Sequence, residues 1–213
     1  MSKEKDTVCI FYKKTGSCSR GDSCSKTHTE APIARTIVLH HIFPDPDVFS
    51  NMLASDTFKL DSLKKQRLVD VFFIDVACML MQFGELDDMA IAGNKNDTLS
   101  GNVIAFYRDS NAAAAAQKAL DGTYYAGRRI HVTLSPTLRI STAFCHNFET
   151  NQCQMGDACC FIHPLEPTSV TYNEIFPHNV KNIARQLRNP KKKRIIDHPM
   201  DLLYGKSKYD PFP

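Results

Sequence analysis

CIFYKKTGSCSRGDSCSKTH, residues 9–28, decides the fold, because the chain carries its pattern a second time. Cys9, Cys18, Cys24 and His28 follow C-x8-C-x5-C-x3-H, and Cys145, Cys153, Cys159 and His163 follow C-x7-C-x5-C-x3-H. Three thiolates and one imidazole complete the tetrahedron of a structural zinc site. The x3 arm brings a cysteine and a histidine to one ion from a single turn, and the longer arms loop back with the other two ligands. Neither segment has an apolar run from which to build a core, so metal replaces one. A disulfide framework is the competing reading, but three matched cysteines per segment would leave one unpaired. Four protein ligands leave no open position for water or substrate, so the two zinc ions expected are structural, not catalytic.

Outward from the two motifs, residues 8–30 and 143–165 form two small CCCH zinc fingers around a middle large enough for one domain, residues 34–137. With 213 residues and 43% hydrophobic content, the chain can build one core there. No stretch is long and apolar enough to span a bilayer and the N-terminus is polar, so a soluble, unsecreted protein is expected. Only Cys78 and Cys160 fall outside the ligand sets, which suits a reducing compartment. The net charge of +3 gives no global field favouring nucleic acid. The distribution is more informative. In the tail, residues 170–213, the stretch between Glu174 and Asp197 holds Lys181, Arg185, Arg188, Lys191, Lys192, Lys193 and Arg194 and no acid. Such a run binds phosphates, serves as a nuclear-import signal, or is simply a solvated tail.

In the middle, residues 35–42 (RTIVLHHI) read as a strand ended by Pro44, Asp45 and Pro46. Asp61 or Ser62 caps a long helix reaching Phe83, with Gly84 as its stop. Residues 86–92 and 102–107 are two further strands. Ser110 caps an alanine-rich helix to Leu120, stopped by Gly122, and residues 129–134 are the last strand. The order strand, helix, strand, strand, helix, strand predicts an α+β fold. It is the split βαβ arrangement of an RNA-recognition motif: a four-stranded antiparallel sheet with two helices on one face, flanked by two zinc fingers.

Such sheets bind RNA by stacking bases on exposed aromatics. Here Val38, Gly101 and Val103 stand at the stacking positions, so the platform is missing. Val38, Val103 and Phe106 then read as packing residues, and no RNA binding is assigned to the sheet. In the long helix, ~100° per residue puts Leu68, Val69, Phe72, Phe73, Val76, Met79, Leu80 and Phe83 on the core face. Val71, Ile74, Cys78 and Met81 fall on the opposite face. A helix apolar on both sides is covered on both sides, here by the second helix, by the chain termini, or by a partner protein.

A degenerate RNA-recognition-motif domain between two CCCH fingers resembles the small subunit of the U2 auxiliary factor, a splicing protein. The resemblance covers residues 8–164 and is carried by residues 9–28, by GNVIAFYR in the third strand, by HVTLSP, and by CHNFETNQCQMGDACCFIH. It implies a nuclear, non-catalytic subunit whose two fingers bind the AG of the 3′ splice site in pre-mRNA. It also implies a central domain, the U2AF homology motif, that takes a tryptophan-bearing peptide of the large subunit. Phe11, Tyr12, Phe148 and Phe161 are the candidates for base stacking, with packing against the zinc site as the alternative for Phe11 and Phe161. Ser25 and Asn147 match family positions beside the RNA, and Lys13, Lys14, Arg20 and Lys26 are candidate phosphate contacts. Basic positions of relatives fall here on Ser19, Ser23 and Met155, and no Arg/Ser-rich tail is present. The family's Arg-x-Phe loop falls on Thr123, Tyr124 and Tyr125, without the arginine. Tyr124 and Tyr125, with Val71, Ile74, Cys78 and Met81 and the acids Asp70 and Asp75, are the candidate partner surface. Asp87 and Asp88 lie just beyond.

Two rival classes compete with this reading. An RNA-modifying or ubiquitin-transferring enzyme using CCCH fingers as substrate grips would need a catalytic constellation, and the sequence shows no Gly-rich phosphate loop and no RING-type cysteine spacing. A scaffold whose fingers bind protein is the other.

Overall fold

The computed structural model describes residues 7–29, 31, 33–48 and 60–177. In chain order the elements are helix α1 (Ile10–Thr15), strand β1 (Thr36–His40), helix α2 (Ser62–Met81), strands β2 (Leu86–Ala92) and β3 (Val103–Tyr107), and helix α3 (Ser110–Leu120). A small hairpin of β4 (Tyr124–Tyr125) and β5 (Arg128–Arg129) follows, then β6 (His131–Ser135), helix α4 (His146–Glu149), β7 (Pro164–Leu165) and helix α5 (Ser169–Ile175).

The two long helices start and stop for local reasons. The Asp61 carboxylate accepts the Lys64 N–H at 2.8 Å and caps α2. Asp109, not Ser110, is the N-cap residue of α3. Gly84, just past α2, has φ +154°, and a Cβ there would meet the Ala112 Cβ at 2.6 Å, so glycine lets the chain pass close against α3. The alanines of α3 serve the same closeness: Ala112, Ala113 and Ala116 are buried.

The sheet runs β6-β1-β3-β2-β7 with every neighbouring pair antiparallel. It has one strand more than the four expected, because the chain leaving the second finger pairs Leu165 with Ile91 and Pro164 with Ala92. Proline is tolerated on that outermost strand because the ladder does not need its missing N–H. On the helix side, Val69, Phe72, Phe73, Val76, Ala77 and Leu80 of α2 bury against Ile37, Leu39, Met89, Ile91, Val103, Ala105 and Tyr107. Leu68, Met79 and Phe83 pack partly buried around them, as the helical period predicts. Each full-sized apolar side chain so buried contributes about 1.5–3 kcal/mol. Tyr107 is fully buried and donates its hydroxyl to the Leu80 carbonyl at 2.8 Å.

The other face carries a second apolar cluster: Val38, Ala90, Ala92, Leu99 and Ile104 from the sheet side, closed by Ile140, Ala143 and Ile162 with Phe144 beside them. This corrects the expected register of β3 by one residue. Val103 points into the helix-side core, whereas Ile104 and Phe106 share the outer face with Val38. Gly101 is a turn residue at φ +68°, where a Cβ would lie 2.5 Å from the Phe43 carbonyl oxygen. Where Val38 and Ile104 stand, this face carries aliphatic side chains because the segment around the second finger packs on it.

The tail expected from residue 170 begins inside folded structure. Helix α5 is capped by Thr168 and lays Tyr172 and Phe176 against Phe73, with ring centroids 6.1 and 6.0 Å away. The Tyr172 hydroxyl donates to Asp88 at 2.7 Å. The basic run 181–194 lies outside the described residues.

Candidate nucleic-acid interface

Both fingers use the same local frame. A cysteine opens each short helix: Cys9 precedes α1 and Cys145 precedes α4. Its backbone N–H bonds back to the strand-like arm before the ligand histidine, Cys9 to Thr27 at 3.0 Å and Cys145 to Ile162 at 2.9 Å. A 3-10 turn follows in each, Gly21–Ser23 and Gly156–Ala158. Gly16 ends α1 at φ +71°, and a Cβ there would sit 2.6 Å from the Val38 side chain, so glycine is required where this finger meets the sheet.

Cys9, Cys18, Cys24 and His28 bring one ligand atom each to within 4.8 Å of one another, and so do Cys145, Cys153, Cys159 and His163. Nε2 of His28 and Nε2 of His163 are buried without a hydrogen-bond partner. A buried, unpartnered ring nitrogen among three sulfurs is the donor set of a tetrahedral zinc ion, and the residues fit that ion in both places. An aromatic ring lies flat on each ligand histidine, Tyr12 on His28 at 4.6 Å and Phe148 on His163 at 4.1 Å. These rings hold the imidazoles in plane, the supporting role that outer groups play around metal ligands.

The fingers touch. Phe11 meets Phe161 edge-on at 5.5 Å, and the Lys14 ammonium stands 5.3 Å above the Phe161 ring. Phe11 and Phe161 therefore pack against each other across the finger contact, and Phe161 keeps part of its surface in a groove of about 820 Å³. That groove is lined also by Met155 and by Asn147, Asn151, Gln152 and Gln154, whose amides offer both donors and acceptors. Lys13, Arg20, Ser25 and Lys26 are exposed on the first finger, and Phe148 is exposed on the second.

Four residues that sequence reasoning missed position this surface. Asn94 donates to the Phe161 carbonyl at 2.9 Å and accepts the His163 N–H at 2.8 Å, and Asn96 donates to the Asp157 and Cys159 carbonyls at 2.7 and 3.0 Å. Thr137 donates to the Lys14 carbonyl at 2.9 Å, and Asn102 reaches Ser17 at 3.4 Å. No motif marks them; for the three asparagines the only sequence signal is a run of short polar residues in the loop before β3, and Thr137, just past β6, has none.

The candidate partner residues are placed together only in part. Val71 and Ile74 are half-buried and Cys78 is exposed on the outer side of α2, whereas Met81 turns partly onto the main core. Tyr125 stands edge-on to Phe72 at 5.8 Å and donates its hydroxyl to Asp75 at 2.6 Å, beside Ile74. Burial and the Asp75 carboxylate both push the Tyr125 phenol far above its ordinary value, so it stays a donor. Tyr124 is 73% exposed at the hairpin. Asp70 faces the chain start of α5, accepting the Thr168 N–H at 2.6 Å, and Asp87 pairs with Arg108 at 3.1 Å.

Comparison with known proteins agrees with this architecture. Residues 4–28 match the family described as "Zinc finger C-x8-C-x5-C-x3-H type (and similar)". The chain is 35% identical to a splicing factor U2af small subunit of Oryza sativa subsp. japonica over 186 residues, 87% of this chain and 56% of that protein. It is 31% identical to "Splicing factor U2AF 26 kDa subunit" of Rattus norvegicus, covering 86% of this chain and 79% of the relative. The human protein of that name gives 30% identity over 89% of this chain and 83% of its own. This chain thus spans a little over half of the rice relative and most of the mammalian ones. Taken with two CCCH zinc sites on an RNA-recognition-motif fold, these identities show that the chain belongs to the family of U2AF small subunits.

Proposed function

We propose that this chain is a non-catalytic, nuclear pre-mRNA splicing subunit that reads the AG of the 3′ splice site with both fingers at once. The observation that carries the reading is the finger-to-finger contact of Phe11, Phe161 and Lys14 at the edge of a groove bordered by Asn147 and other amide side chains. An aromatic face, donors and acceptors for base edges, and a cation beside them are the parts single-stranded RNA recognition uses. The sheet supports this division of labour, since Ile140, Ala143 and Ile162 cover the part of its outer face around Val38 and Ile104 where a base would stack.

The same chain forms a heterodimer with the U2 auxiliary factor large subunit. Val71, Ile74 and Cys78 on the outer side of α2, with Tyr124 and Tyr125 where the family's Arg-x-Phe loop falls, form its docking surface. This chain has no tryptophan, so an anchor indole comes from the partner. Aromatics beside a helix groove suit such an anchor.

The test is binding of a short uridine-rich RNA ending in AG, measured by fluorescence anisotropy with the full chain. Phe161→Ala is expected to weaken binding by about 1–3 kcal/mol, the range for losing one stacked base. Exchanging AG for another dinucleotide is expected to remove most of the affinity. Equal affinity for both RNAs would refute the splice-site reading.

A further inference from the structure

The fingers leave one corner of the sheet's outer face open, and that corner is basic. His40 and His131 are paired neighbours in β1 and β6, and both project to the same side as Val38. Their rings stack at 5.1 Å, and His40 Nε2 lies 2.8 Å from the Thr133 hydroxyl. With His41, Arg128 and Arg129 they line a depression of about 480 Å³ whose lining residues are all basic. Asp121, which contacts His131, is engaged by the Val132 N–H at 2.8 Å and by His131 Nδ1 at 3.1 Å.

The corner is built, not incidental. His41 sits at φ +53°, a conformation uncommon outside glycine, and is tied on three sides. Its N–H donates to the Asn102 side chain at 2.9 Å, its ring Nδ1 donates to the Ser100 carbonyl at 2.8 Å, and its carbonyl accepts from Arg128 at 3.0 Å. Backbone held this way against its preference is found where a site must be shaped. Arg128 and Arg129 come from the β4–β5 hairpin, whose turn places Ala126 and Gly127 at φ +46° and +78°. His40 is held well below its ordinary value, at about 4, by burial and then by the neighbouring His131 and His41, so it stays neutral and the corner's fixed charge lies on Arg128 and Arg129.

Asn102 joins this corner to the first finger. Its oxygen accepts the His41 N–H, and its nitrogen donates to Ser17, directly before the zinc ligand Cys18. We propose that the corner is a second RNA contact, taking the phosphodiester groups of nucleotides that flank the finger-bound segment. The inference rests on the finger-bound RNA reading above. Planar guanidiniums grip phosphate oxygens in pairs, and such contacts fix the path of a strand without reading its sequence. An acidic protein segment would suit the same charges, but continuity with the finger surface through Asn102 favours RNA.

The test compares two RNAs, one covering the AG and its immediate neighbours and one extended on both sides, over a salt series with the full zinc-loaded chain. The double variant Arg129→Gln, His131→Gln changes two exposed side chains. On the extended RNA it is expected to lower the slope of log affinity against log salt by roughly 0.7 for each phosphate no longer held. Binding of the short RNA and the preference for AG are expected to stay as in the parent. Arg129→Lys alone keeps the charge and is expected to keep the slope. An unchanged slope in the double variant, with Phe161→Ala still defective, overturns the corner site and leaves the finger reading standing. If the parent chain binds neither RNA, the finger reading falls and this inference with it. Loss of binding to an acidic peptide or to the large subunit, with RNA slopes unchanged, overturns it by assigning the corner to protein.

Discussion

Cys9 and Cys18 bring their sulfurs to 3.7 Å of each other in a largely buried turn. Burial opposes ionisation of Cys9, yet backbone N–H groups such as that of Tyr12 draw it down to about 7, while in the second finger burial and the neighbouring Cys145 push Cys159 up to about 12. Such crowded sulfurs ionise together only around a cation. Cys24→Ala or Cys159→Ala is therefore expected to lower bound zinc from two ions per chain to one, with loss of structure confined to the altered finger. Metal analysis retaining two ions in either variant contradicts the ligand assignment. His40 gives a pH-dependent prediction. Its folded value, about 4, lies below the ordinary 6.5, so the unfolded chain binds more protons between those limits. Its contribution is complete above pH about 6.5, declines as pH falls toward 4, and amounts to at most about 3 kcal/mol. Because the zinc thiolates also take up protons in acid, the measurement is a difference. The loss of denaturant stability between pH 7 and pH 5 is expected to be smaller in His40→Gln than in the parent, and equal losses would refute it.

At the scale of elements, α2 and the β4–β5 hairpin form one unit through Tyr125, which touches Phe72 and bonds Asp75. Ile74→Asp or Tyr125→Ala is expected to abolish copurification with the large subunit while both zinc ions remain bound. Pairing unchanged in both variants would move the partner surface elsewhere. The inner stripe of α2 was legible in the sequence because Val69, Phe72, Phe73, Val76 and Leu80 repeat at helical spacing against polar Lys64, Lys65 and Gln66. The register of β3 was not. VIAFY is apolar at every position, so it gives no parity, and a one-residue slip exchanges the faces without any sign in the pattern. Helix α5 was also hidden. Seven residues, SVTYNEI, do not make a helix alone; they become one by laying Tyr172 and Phe176 on Phe73.

For the whole molecule, the zinc ligands were fully legible because metal coordination restricts both residue type and spacing. The relation of the fingers to the sheet was not, because it is carried by single polar side chains meeting groups more than sixty positions away. Asn94 is the main example, holding both the Phe161 carbonyl and the His163 N–H. Asn94→Ala leaves those two backbone groups unpaired and is expected to lower stability by about 1–3 kcal/mol. It is also expected to speed amide hydrogen exchange in residues 157–165 more than in α2. Uniform exchange would mean that the second finger is held by its apolar contacts alone.

The short strand β7 follows the ligand His163 directly, so the outermost strand of the sheet is tethered to the second zinc ion. When that ion is lost, Pro164 and Leu165 are no longer held beside Ala92 and Ile91, and the uncovered edge of β2 extends over its whole length. Chelation thus changes more than the affinity for RNA: it lengthens the exposed edge of an open sheet. The chain stripped of metal is expected to self-associate in proportion to its concentration, visible as rising light scattering. Cys159→Ala is expected to aggregate sooner than Cys24→Ala, whose first finger contributes no strand to that edge.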